Sequence, residues 1–139
     1  MSVQKVIDFA QQVLSGDSYY HSHCVVDKCY QLWLDNESII KVAWLHGAVE
    51  DGFTTFKEVF NQGFLNDAEM EALVAITKIG DESRSSYIKA CCANNIACAV
   101  KLADATINYE RNVRCCDWKR AAYYQETIAA CLKALSKGE

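Results

Sequence analysis

Four polar clusters set among apolar residues carry most of the chemical potential of this chain. They are Tyr20-His21-Ser22-His23, His46 with Glu50 and Asp51, Ser83 to Lys89, and Asp104 with Asn108. His46 and Glu50 are four residues apart, which on a helix stacks them one turn apart on a shared face. Leu45 and Val49 lie beside them and are expected to point inward, so the group is expected to border a cleft. Neutral imidazole and carboxylate suit a borderline divalent cation, and a carboxylate one turn away can orient a water or take its proton. The plainer reading is a histidine and two acids meeting near a helix end by chance. Acids at a helix C-terminus oppose its dipole, at a cost of about a few tenths of a kcal/mol, and local conflicts of this kind gather at sites.

Asp104 follows Val100, Leu102 and Ala103, and Asn108 comes one turn later. A buried carboxylate without a partner is expensive, so Asp104 requires one: a lysine, a helix cap or a metal ion. His23 by itself reads as a cap or a packed surface residue, and His21 competes with it for any role.

These residues must be positioned by helices, because helical spacing dominates the chain. Val3, Val6, Ile7, Ala10, Val13 and Leu14 trace one face of a first helix. A second is expected from about Ser22 to Leu34, and a third, capped by Asn36, through His46 to Asp51, closing at Gly52. Thr54 is expected to cap a short helix ending at Gly63. Asn66 followed by Glu69 has the spacing of a capping box. Further helices are expected over about 83–93, from about Asn95, and over about 117–135. No segment alternates as a half-buried strand does, and no linker, repeat or low-complexity tract divides the chain. The expectation is an all-α fold, one compact helical bundle domain of about seven or eight helices over residues 1–139.

Composition agrees. Hydrophobic residues make up 51% of the chain and charged residues 23%, with no proline and six glycines, so helix breakers are scarce. A net charge of −4 argues against binding nucleic acid through its phosphates. Arg111, Arg114, Lys119 and Arg120 form a local basic stretch, either a solvated helix end or a phosphate-attracting rim. The eight cysteines have no zinc-type CxxC spacing, and most sit where alanine would also fit. With an acid-bearing amphipathic N-terminus unlike a signal peptide, they read as reduced, buried thiols of a cytoplasmic protein. The apolar runs fall short of the ~20 residues of a membrane span.

Taken together the clusters carry a resemblance. AWLHGAVEDG resembles the signature helix of HD-superfamily phosphohydrolases, usually A-x-L-H-D-x-x-E-D. VKLADATINYERN resembles that superfamily's later V-K-L-A-D segment with an asparagine four residues beyond the aspartate, and Tyr20-x-x-His23 resembles the element supplying its first histidine. LVAITKIGDESRSSYIKACCANN is similar to the linker helices of small HD proteins related to stringent-response alarmone hydrolases. The resemblance covers about residues 1–115, in order. It implies an HD-type domain binding one divalent metal, often manganese, through His23, His46, residue 47 and Asp104. It assigns Glu50 and Asp51 to activating the attacking water, and Asn108, Tyr87 and Lys89 to the substrate, a nucleotide or alarmone-like phosphate compound. The chain departs from the pattern at Gly47, where the family has aspartate, so one anionic ligand is missing. Three functions follow: a phosphohydrolase impaired by Gly47, an inactive relative that binds or senses a nucleotide, or a helical interaction module using Tyr123 and Tyr124, with a homo-oligomer as one form.

Overall fold

Six helices begin at a side chain that accepts an otherwise orphaned backbone N–H. In the computed structural model, which describes residues 2–137, the helices are α1 (Ser2–Val13), α2 (Gly16–Gln31), α3 (Glu37–Leu45), α4 (Phe56–Gln62), α5 (Asp67–Ile76), α6 (Arg84–Cys92), α7 (Asn95–Arg114) and α8 (Trp118–Lys137). Ser15, Asn36, Thr55, Asn66, Ser83 and Asn94 cap α2 to α7 in turn. The box at Asn66 is complete: its Oδ1 accepts the Glu69 amide at 2.8 Å and Glu69 Oε1 accepts the Asn66 amide at 2.8 Å. Gly63, at φ 72°, ends α4 in the left-handed region where glycine alone has no steric cost. The chain is all-α, with no strand among the described residues.

Two elements differ from expectation in ways that matter for the site. Helix α2 starts six residues earlier than Ser22, at Gly16, so the Tyr20–His23 cluster lies inside a helix. Helix α3 stops at Leu45, and His46 to Gly52 form successive turns. Gly47 weakens helix propensity there by about 1 kcal/mol relative to alanine, and Gly52 takes φ 81°. Glu50 therefore sits on a turn and not one helical turn below His46. The cap of α4 is Thr55, one residue later than Thr54.

Helix α7 is the centre of the bundle, packed against α2, α3, α5, α6 and α8. From Ala97 to Ala105 every residue but Lys101 is buried. A helix buried all round must be apolar all round, which makes Asp104 an exception to be explained. The core runs from Val6 and Phe9 of α1 through Val25, Val42, Leu45 and Leu73 to Val100 and Ala103. A second buried pair, by contrast, is fully accounted for. Lys41 Nζ lies 2.7 Å from Glu69 Oε1 and donates to the Phe64 carbonyl at 2.9 Å, and Ser38 donates to Glu69 Oε2 at 2.6 Å. Burial alone would raise the Glu69 pKa, and these partners outweigh it and lower it. No helix among the described residues is long and apolar enough to cross a membrane.

Candidate metal centre

Three helices bring two imidazoles to the one carboxylate of α7's buried stretch. His21 Nε2 of α2 lies 2.9 Å from Asp104 Oδ1, and His46 Nε2, at the end of α3, lies 3.5 Å from the same oxygen. The two rings stand 5.4 Å apart, centroid to centroid. His46 and Asp104 are buried and His21 half-buried, and one ligand atom from each lies within 4.8 Å of the other two. His46 Nδ1 donates to the Ala43 carbonyl at 2.7 Å. That bond holds the ring and leaves Nε2 as the nitrogen free to ligate, the usual outer support of a metal-binding histidine. Ligands on metal bonds of about 2.1 Å sit roughly 3 to 4 Å from one another, so the trio fits a divalent cation with small side-chain adjustment. Three protein ligands would leave positions open for water or substrate.

The expected ligand His23 is not among them. Its ring is half-exposed, with Nδ1 3.4 Å from Asp27 Oδ2 and its face edge-on to Trp44. Residues two apart on a helix point about 200° apart, so when His21 faces Asp104, His23 must face away. Because α2 runs straight through residues 20–23, the two histidines cannot share the site. Lys89 departs for the same reason. Tyr87 of α6 is buried and donates through its hydroxyl to the Ile76 carbonyl at 2.6 Å, while Lys89, two residues on, lines a groove on the α6–α8 side.

Beside Asp104 opens a cleft of about 250 Å³ lined by Glu50, Lys78, Arg84, Tyr87, Lys101 and Asn108, among others. Glu50 Oε1 accepts the Lys78 amide at 2.8 Å, which pins its turn against the loop after α5. Asp51 is exposed, and its Oδ2 lies 3.3 Å from where a side chain at residue 47 would begin. A carboxylate four residues on thus borders the space beside Gly47. Asn108 lines the cleft, with its backbone carbonyl taken by Asn112 Nδ2.

Of the cleft's three cations, Lys78, Lys101 and Arg84, two are held in place by other side chains. Lys101 Nζ lies 3.3 Å from Asp104 Oδ2, and Arg84 stacks 3.6 Å over the Tyr123 ring while donating to Thr127 Oγ1 and the Tyr123 carbonyl. The signal for Lys101 was its position as the lone charge before Asp104 in an apolar run. Nothing local marks Arg84, because its partners lie about forty residues away on α8. Its Nε is buried without a partner, leaving one donor of the guanidinium unused. Tyr123 and Tyr124 also line an adjoining recess with Lys119 and Arg120.

The electrostatics follow from this crowding. Burial pushes the Asp104 pKa up, but hydrogen bonds from His21 and His46 and the Lys101 charge outweigh it and hold the carboxyl well below its usual range. Burial pulls the His46 pKa down, and Asp104 with the Ala43 carbonyl reverses this to a net rise. A raised histidine contributes stability below the ordinary imidazole pKa and loses it as pH climbs through the raised value; a depressed aspartate contributes above the ordinary carboxylate pKa. In chelator, the Tm advantage of wild type over His46→Gln is therefore expected to shrink as pH rises from the ordinary imidazole pKa, about 6.5, into the alkaline range. An advantage constant across that range would show that His46 carries no proton in the pair.

No family model matches the chain, and no curated protein does.

Proposed function

We propose that this chain is an HD-type metal-dependent phosphohydrolase acting on a nucleotide-like phosphate compound, with its metal held by His21, His46 and Asp104. The observation that carries this reading is a trio of ligand atoms within 4.8 Å of one another beside a cleft lined by Lys78, Arg84 and Lys101. Two imidazoles and a carboxylate suit a borderline divalent cation, manganese included. When bound, such an ion would lower the pKa of water and neutralise phosphate charge.

The remaining roles fall to the chain's own groups. Arg84, pre-oriented by Tyr123 and Thr127 and keeping an unused buried Nε donor, binds a phosphate oxygen. Lys101 and Lys78 add positive charge along the same wall. Glu50, on the rim of the cleft, is the acceptor for a water proton. A cleft of about 250 Å³ holds phosphate groups and not a whole nucleotide. The recess beyond it shares Tyr123 and Tyr124, on which a base can stack. Those tyrosines are thus better used as a ligand wall than as a separate docking face. Eight thiols without a disulfide suit a reducing compartment such as the cytoplasm.

Gly47 favours a second reading, in which the cleft binds a nucleotide without turning it over. Losing a carboxylate lowers the pull on a dication, and Lys101 already occupies the second oxygen of Asp104. Hydrolysis of a nucleotide panel in added manganese separates the two. Turnover lost in His21→Ala and retained in His23→Ala supports the enzyme; calorimetric binding without turnover supports the binder; neither binding nor turnover removes both. The His21→Ala loss is expected to exceed tenfold, since removal of a metal ligand costs at least what loss of its outer support does, about 10 to 100-fold. Equal effects of the two histidine variants would sink the ligand assignment.

A further inference from the structure

A second convergence of ligand atoms lies outside the cleft. Cys92 ends α6, Cys98 sits in the first turn of α7 and Cys131 lies in α8. Their sulfurs lie within 4.8 Å of one another, and Cys98 and Cys131 are wholly buried. Cys98 Sγ donates to the Cys131 carbonyl at 3.4 Å, which fixes the helices in this register. Leu102, Ile128 and Leu135 surround the trio. Cys92 is half-buried and opens onto a groove bordered by Lys89, Lys133 and Lys137, a route from solvent.

Thiol sulfur is soft and selects soft, thiophilic ions. Three sulfurs from three helices, with no histidine or carboxylate beside them in the group, make a trigonal donor set. Zinc in structural sites takes four protein ligands, and this site offers three. Charge then decides among three-coordinate ions. Three thiolates leave two net negative charges around a monovalent ion, one around a divalent ion and none around a trivalent one. Apolar side chains enclose the sulfurs, and the three lysines of the groove stand on the Cys92 side. An apolar pocket penalises net charge, so the neutral complex is favoured.

We propose that Cys92, Cys98 and Cys131 form a binding site for a trivalent thiophilic metalloid of the arsenite type. The reaction balances without an oxidant. Arsenous acid meets three thiols, three As–O bonds break as three As–S bonds form, and each thiol proton leaves with a hydroxide as water. Arsenic stays trivalent throughout. This site is independent of the phosphohydrolase reading, because it shares no residue with the cleft.

The test is titration of the full, reduced chain with sodium arsenite, read by native mass spectrometry and by counting reactive thiols. One arsenic is expected per chain, with three of the eight thiols protected. Cys115 and Cys116 are adjacent and exposed, so they are the competing dithiol. Binding is expected to persist in Cys115→Ser/Cys116→Ser and to weaken at least tenfold in Cys92→Ser. Cys92 is the residue to replace first because it is only half-buried, and the helical circular dichroism of the variant checks that it folds. Loss of binding in the Cys115/Cys116 variant, or its survival in Cys92→Ser, overturns the proposal. Copper(I) and cadmium(II) titrated in parallel test the charge argument: saturation of the same three thiols by either at lower concentration than arsenite overturns the trivalent assignment.

Discussion

On the proposed ligand role, Asp104→Ala is expected to abolish thermal stabilisation by manganese and, separately, to destabilise the chelated protein by about 3 to 5 kcal/mol. The two effects have one origin. Asp104 is the carboxylate of α7's buried stretch, and His21, His46 and Lys101 all converge on it. Removing it leaves the Lys101 ammonium, mostly enclosed, without a counter-charge and leaves the His46 ring without its acceptor. Desolvation of an uncompensated charge is what makes half of a buried pair so costly. From the sequence, Asp104 reads as a metal ligand or as the partner of a lysine or a helix cap, and a ligand role implies little cost to the fold. In the structure one oxygen meets the two imidazoles and the other meets Lys101, so loss of the carboxylate costs the fold with or without a metal. Basal stability therefore says nothing about metal; the informative measurement is the difference in Tm between manganese and chelator, compared across wild type, Asp104→Ala and Asp104→Asn. Asparagine keeps the hydrogen-bonding shape without the charge, so it is expected to recover part of the fold stability and none of the manganese response. A full manganese response in Asp104→Ala would remove this residue from the metal centre.

Gly47→Asp is expected to tighten manganese binding at least tenfold, about 1.4 kcal/mol, and to raise turnover on nucleotides. A new carboxylate supplies the anionic ligand that the resemblance assigns to residue 47. The structure adds a complication. A Cβ at 47 meets Asp51 Oδ2 at 3.3 Å, so the Asp51 side chain must give by a few tenths of an ångström. It is exposed and flexible, which keeps the steric cost small, but two carboxylates then share one turn. Without metal their repulsion is expected to lower stability slightly, partly offset by the gain of about 0.4 to 1 kcal/mol from replacing a glycine whose φ is not positive. With metal the repulsion becomes an asset, since negative charge draws the cation. Asp51→Asn combined with Gly47→Asp separates the terms: it should remove the destabilisation seen in chelator and keep most of the gain in affinity. Isothermal titration with manganese, in both backgrounds, reads both. Unchanged affinity in Gly47→Asp would mean that residue 47 does not address the ligand trio, and the parallel with the H-D doublet would fail.

Local physics made much of the fold legible. Asn36 and Asn66 cap helices where their side chains compete for free amides, an interaction spanning three residues. Absence of proline and the 3.6-residue recurrence of apolar side chains specify an all-α chain, and a carboxylate inside VKLAD marks a buried charge that needs a partner. The choice between His21 and His23 was not legible, nor was it legible that Tyr87 and Lys89, both assigned to the substrate, lie on different sides of their helix. Each pair straddles a helix, and spacing alone leaves the rotation of that helix about its axis undetermined when both faces carry polar groups. Packing of α2 against α3 and α7 sets that rotation. The meeting of Cys92, Cys98 and Cys131, like that of Arg84 with Thr127, depends on how α8 lies across α6 and α7, which is an outcome of total buried area and of no single segment. Sequence determined which residues had to find partners; which partners they found was decided by helix rotation and crossing, because those are collective properties of the packed core.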